Sequence, residues 1–128
     1  MASYLLDTHT ILWYFDQSSE LSETAFRIIT NQEHSIFVSM ASYWEMTIKS
    51  GLKKLKLPHS IGQMIRDAEK AGIQSLPIST LHLTTLDTLP PHHRDPFDRL
   101  ILAQALADNM TLISKDATFR LYSNKVIW

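Results

Sequence analysis

Short apolar runs alternate along the chain with longer stretches in which apolar residues recur every three or four positions. Tyr4-Leu5-Leu6, Ser35-Ile36-Phe37-Val38, Gln74-Ser75-Leu76, Thr111-Leu112-Ile113-Ser114 and Lys125-Val126-Ile127-Trp128 predict strands, being too short or too apolar for surface helices. The periodic stretches between them predict helices over about 10–15, 22–31, 40–50, 61–71, 79–86 and 95–109. Gly51 and Gly72 stand where two of these helices should end, as C′ residues. Asp95-Pro96 opens the clearest helix, with the acid at N-cap and the proline at N1. Strands alternating with helices imply an α/β layered domain on a mainly parallel sheet. No repeat, linker or low-complexity tract divides residues 1–128, so one domain is expected.

In such a sheet, ligands gather beyond the C-terminal ends of the strands, where strand order reverses. Asp7 directly follows the first predicted strand and Asp116 the fourth. Glu45 and Asp98 lie in the first turns of helices. Each acid also has a purely structural reading. Asp7 can cap the next helix. Ser42-Tyr43-Trp44-Glu45 fits a capping box, and Glu45 precedes Lys49 by four, the favourable order for a helical ion pair. Trp44 and Ile48 are expected to face the core. Asp98 falls at N3, where free backbone N–H groups and the helix dipole favour its charged form. Asp116 can cap a turn through Thr118-Phe119. What capping alone leaves unexplained is that one sheet would bring all four acids together.

Composition narrows the chemistry. The 128 residues contain no cysteine, which excludes disulfides and thiolate metal sites. Clustered carboxylates without thiolates favour a hard cation, Mg²⁺ or Mn²⁺. The formal net charge of −1 does not by itself suggest a nucleic-acid binder. Committing four of the thirteen acids to metal leaves nine against twelve basic residues, so a mildly basic rim is compatible. The most basic segment is Lys49–Lys56, whose interleaved leucines suggest core or dimer packing beneath a solvated face. His92 and His93 lie in a Pro-rich loop and are expected to be solvated. No apolar run nears the ~20 residues of a membrane span, and the N-terminus lacks a basic region before its apolar run. A cytoplasmic location is the expectation.

Four blocks in order carry a family resemblance. Leu5-Leu6-Asp7-Thr8-His9, Ser42-Tyr43-Trp44-Glu45-Met46, the stretch from His93 through Asp95-Pro96-Phe97-Asp98 to Ala105, and Leu112-Ile113-Ser114-Lys115-Asp116 through Phe119 resemble the motifs of PIN-domain toxins of the VapC type. The resemblance covers essentially the whole chain, and its most specific block is Asp95 to Ala105. It implies a Rossmann-like αβα sandwich. It also implies that Asp7, Glu45 and Asp98 are core metal-binding acids, that Asp116 is a fourth, and that Ser114 supports them. Asp95 remains a cap. The activity implied is endoribonuclease, the assembly a homodimer, and the inhibitor a VapB-like antitoxin whose tail covers the site. A bound cation would activate water and stabilise charge on the phosphate oxygens.

Two other readings compete. Asp7-Thr8-His9-Thr10 after a strand is similar to the Asp-x-Asp-x-Thr motif of haloacid-dehalogenase phosphotransferases, but His9 replaces the second acid and the chain is short for a cap domain. The other is a non-catalytic α/β binding module whose acids only cap helices, which would bind no divalent ion tightly.

Overall fold

The computed structural model describes residues 2–128. Five strands form one sheet: β1 (Ser3–Leu6), β2 (Ser35–Ser39), β3 (Ile73–Leu76), β4 (Thr111–Ile113) and β5 (Val126–Ile127). The order is β3-β2-β1-β4-β5, and every pairing is parallel. The sheet is thus wholly parallel, where the sequence pattern led us to expect a mainly parallel one. Parallel neighbours need crossovers, which here run through α1 (Thr8–Phe15), α2 (Glu23–Thr30), α3 (Met40–Gly51), α4 (Ile61–Lys70), α5 (Thr80–Asp87) and α6 (Pro96–Ala107).

Side chains alternate across each strand, so one strand feeds two cores. Leu6, Ile36, Val38 and Ile113 pack on one face with Ile11, Ile29, Met46 and Met64 of the helices. Leu5 and Leu112 pack on the other with Leu100, Ile101, Ala105 and Phe119. Burial on both faces is why the strands read as continuous apolar runs rather than alternating ones. The chain builds β2 and β3 to one side of β1, then β4 and β5 to the other. The reversal lies between β1 and β4.

Several local expectations need correction. The N-cap of α3 is Ser39, whose side chain accepts from the Ala41 N–H at 2.9 Å, so Ser42 and Glu45 form no capping box. The chain is already helical at Met40, which leaves Ser42 and Glu45 free to turn inward. Trp44 and Ile48 do not face the core: Ala41, Ser42, Tyr43, Glu45 and Met46 take the buried face, and Trp44 is 55% exposed. Gly51 is the last residue of α3 rather than its C′. The left-handed position falls on Lys53 (φ 58°). Gly72 does supply the expected left-handed turn (φ 86°) after α4, which returns the chain into β3. Of the leucines under the basic run, Leu55 and Leu57 pack on the core and Leu52 is exposed. Among the described residues no helix is long and apolar enough to cross a membrane.

Candidate active site

Asp7 is the first residue past β1, and its N–H still bonds to the Ile113 carbonyl of β4 at 3.2 Å. It therefore sits in the crevice where strand order reverses. It caps α1 as expected: Oδ1 accepts from the Thr10 N–H (2.9 Å) and hydroxyl (2.6 Å). The other oxygen, Oδ2, accepts from the Ser114 hydroxyl at the end of β4. Only 4% of Asp7 is exposed, and burial raises its carboxyl above the ordinary range despite these bonds. Ser114 Oγ also accepts from the Asp116 N–H at 3.0 Å, so one serine ties two of the four acids together.

Glu45 enters from α3. It is 3% exposed, with Oε1 accepting from Thr8 Oγ1 at 2.7 Å and Oε2 paired with Lys49 Nζ at 2.5 Å. Thr8 Oγ1 also lies 3.0 Å from Ser42 Oγ. The expected Glu45–Lys49 pair is present. Yet Glu45 is buried because its second partner lies on the residue after Asp7, a long-range contact that helix periodicity does not encode. The hydrogen bond to Glu45 and burial act oppositely on Lys49. The bond wins and, with the charges of Glu45, Asp95 and Asp98, holds the ammonium above its usual range.

Asp98 arrives on the first turn of α6. Asp95 is the N-cap, its Oδ1 accepting from the Phe97 and Asp98 N–H groups at 2.9 and 3.0 Å, with Pro96 at N1. Burial, then the neighbouring charge of Asp95, pushes the Asp98 carboxyl up to about 7. His93 opposes this, while Asp7 and Glu45 add to it. The helix start was expected to keep Asp98 charged, but in the metal-free protein burial beside three other carboxylates outweighs it. Asp116 caps the 3₁₀ turn Ala117–Leu121. Burial pushes its carboxyl up, but hydrogen bonds from Thr118 and His93 hold it below the usual range.

His93 departs from the expectation of a solvated role. Its Nε2 lies 2.8 Å from Asp116 Oδ2 and 3.2 Å from Asp98 Oδ2, and its ring stacks on Phe119 with centroids 5.2 Å apart. The Pro-rich loop is pinned. Tyr122 Oη accepts from the His93 N–H and donates to the Pro90 carbonyl, and Arg99 donates to the carbonyls of Leu89, Pro90 and His93. His92 lies outside this arrangement, edge-on to Tyr122. Thr8 and Thr10 are the site residues that the sequence did not single out, and His93 is the one it led us to read as solvated. Thr8 and Thr10 flank His9 in a quoted motif, but nothing in their spacing distinguishes a hydroxyl that braces a carboxylate from a helix-start threonine.

Among the described residues, His93, Asp98 and Asp116 each offer one ligand atom, all within 4.8 Å of one another. Asp7 and Glu45 stand outside that trio and act on Asp98 through their charges. The donor set is dominated by carboxylate oxygen, which suits Mg²⁺ or Mn²⁺. A divalent cation here would offset the burial, and the like-charge repulsion after it, that raise Asp98.

A family model described as "PIN domain" matches residues 4–125. No curated protein matches the chain. Among solved structures, VapBC2 from Rickettsia felis bound to a promoter DNA fragment is similar, with TM-score 0.68, 17% identity, and coverage of 98% of this chain and 96% of that one. A toxin–antitoxin complex from Klebsiella pneumoniae gives TM-score 0.64, 17% identity and coverage of 98% and 96%. VapBC-1 from nontypeable Haemophilus influenzae gives 0.63, 21%, and 93% and 90%.

The electrostatics yield a prediction for the metal-free protein. Asp98 releases its proton near 7 when folded and near its ordinary value of 3.8 when unfolded. Between those values the native state binds more protons, so stability falls as pH rises. The raised Asp7 acts in the same direction. In EDTA, the melting temperature is expected to fall from about pH 4 to about pH 7, and Asp98→Asn should flatten that fall and be the more stable protein at pH 8. Asp95→Asn, which keeps Asp98 and most of the cap, should retain the fall in weaker form. An Asp98→Asn profile parallel to wild type would show that this carboxyl is not raised.

Proposed function

Since the chain belongs to the PIN domain family, a family of nucleases, we propose that it is a Mg²⁺- or Mn²⁺-dependent endoribonuclease and the toxin of a VapBC-type pair. What supports this reading is a chain of links among the four acids: Ser114 bonds Asp7 and the Asp116 N–H, His93 faces both Asp116 and Asp98, and the charges of Asp7 and Glu45 act on Asp98. In this reading the four carboxylates hold the cation. Ser114 and Thr10 orient Asp7, and Thr8 orients Glu45. When bound, the cation supplies Lewis acidity toward water and charge stabilisation at phosphate oxygens. The chain's own part is to fix the carboxylates by hydrogen bonds and hold one phosphodiester over them.

The surroundings suit a polyanion with bases. A shallow cleft lined by Asp7, His9, Trp13, Lys115 and Asp116 runs beside the acids. In it His9 stacks on Trp13 with centroids 5.5 Å apart, and Lys115 Nζ lies 5.8 Å from the Trp13 ring centre. A cation and aromatic faces together are what single-stranded nucleic acid uses. Lys53 and Lys54 are exposed in the turn just past the C-terminal end of α3, the helix that carries Glu45. The solved complexes of similar fold support a VapB-like antitoxin as the partner; a short neighbouring gene with a DNA-binding N-terminus and flexible tail is its expected source. A homodimer is supported by the row Met40, Trp44, Ile48 and Leu52, exposed and apolar at four-residue spacing along α3 and its C-cap. A twofold dimer pairs one patch with its own copy, and an apolar row of this kind can serve as such a patch.

Purified protein should cleave RNA only with Mg²⁺ or Mn²⁺ and stop in EDTA. Asp98→Asn should lower the rate by orders of magnitude, since each ~1.4 kcal/mol of lost transition-state stabilisation is tenfold. Asp95→Asn should stay close to wild type. Cleavage by nuclease-free protein in excess chelator, or a fully active Asp98→Asn, would sink the reading.

If Lys53 and Lys54 contact phosphates, replacing both by Ala should weaken RNA binding and flatten the dependence of log affinity on log salt by roughly one to two units. An unchanged slope leaves them on a solvated face.

In sedimentation, the wild type is expected at the mass of two copies, and Leu52→Glu should move it toward one. A monomeric wild type would refute the dimer.

A further inference from the structure

The trio of His93, Asp98 and Asp116 has the spacing of three metal ligands, but the histidine's other nitrogen argues for a different role. Nδ1 accepts the Asp95 N–H at 3.2 Å, in the turn that leads into the N-cap of α6. A nitrogen that accepts carries no proton, so the ring's proton is on Nε2. Nε2–H then points at two acceptors, Asp116 Oδ2 at 2.8 Å and Asp98 Oδ2 at 3.2 Å. For Nε2 to ligate a cation, its proton would have to move to Nδ1 and face the Asp95 N–H head-on. That would break the turn on which Asp98 itself depends.

The ring cannot easily escape this assignment. Its backbone N–H is bonded to Tyr122 Oη at 2.8 Å, its carbonyl accepts from Arg99, and its face lies on the buried Phe119. It is held from three sides before any ion arrives. Each carboxylate has about four lone-pair positions, so a donor occupying one still leaves others for a cation.

We propose that His93 is a positioning residue of the acidic site: its Nε2–H holds the facing oxygens of Asp98 and Asp116 toward one another, and its nitrogen stays outside the metal's coordination sphere. The proposal rests on the reading of this crevice as a divalent-cation site and adds to it a group from the loop before α6. It makes the loop's anchors part of the site, because Tyr122 and Arg99 act through His93 on two carboxylates.

The test uses the full chain with Mn²⁺ as the probe. Free Mn²⁺ is followed by electron paramagnetic resonance for wild type, His93→Phe and His93→Gln, with melting temperatures alongside. Pulsed measurements on the wild type read any directly bound nitrogen. His93→Phe keeps the stack on Phe119 but removes the donor. It is expected to weaken Mn²⁺ binding about 10–100-fold, the usual effect of losing a partner that orients ligands. His93→Gln, which can still donate, should recover most of that loss, and the wild-type spectrum should show no coordinated imidazole nitrogen. A nitrogen coupling present in wild type and lost in His93→Phe would overturn the proposal, as would wild-type affinity in a folded His93→Phe. Should His93→Phe not fold, His93→Gln decides alone. A value within a few-fold of wild type supports the donor role, and a loss of 10-fold or more refutes it. Failure of the wild type to bind Mn²⁺ would instead remove the proposed function on which this inference rests.

Discussion

Asp7 lies almost wholly buried at the end of the strand in the middle of the sheet, and the crevice is arranged around keeping its two oxygens bonded. One oxygen accepts from Thr10, which closes the first turn of α1; the other accepts from Ser114, which closes the end of β4. An unsatisfied carboxylate at that depth would cost several kcal/mol. The same bonds therefore stabilise the fold and orient a functional group. They also fix where Asp116 begins, because Ser114 Oγ takes the Asp116 N–H.

Around this anchor the chain concentrates negative charge at some cost to its own stability. Each acid is supported by a partner outside the metal-binding set. Glu45 has Thr8 and Lys49, Asp116 has Thr118 and His93, and Asp98 has His93 alone with Asp95 working against it. Asp98 thus has the fewest side-chain partners of the four and its carboxyl is raised to about 7, while burial raises Asp7 as well. A helix start favours a nearby negative charge by at most a few kcal/mol. Burial among three like charges outweighs that here. A divalent cation at a site so arranged would offset the burial and repulsion that raise these carboxyls.

The sequence by itself determined the layered α/β plan, the order of its elements and most of their boundaries. Each rests on local physics: apolar runs with no polar face, 3.6-residue periodicity, Asp95-Pro96 at a helix start and Gly72 at a helix end. It also made the four acids legible as candidates: Asp7, Asp98 and Asp116 sit at element ends, and Glu45, midway along α3, stands out by its four-residue spacing to Lys49. Only the tertiary structure decided which face of α3 turns inward. Glu45 is buried and Trp44 exposed because Thr8, far away in sequence, offers the glutamate a hydroxyl. Periodicity would have chosen the tryptophan. His93 is the same case. Its loop reads as solvated by composition, and it becomes part of the site only because Tyr122 and Arg99, on other elements, bond to that loop's backbone and fold it over the acids. Local patterns record how each residue meets its near neighbours along the chain; the partners of buried polar groups are chosen by packing across it.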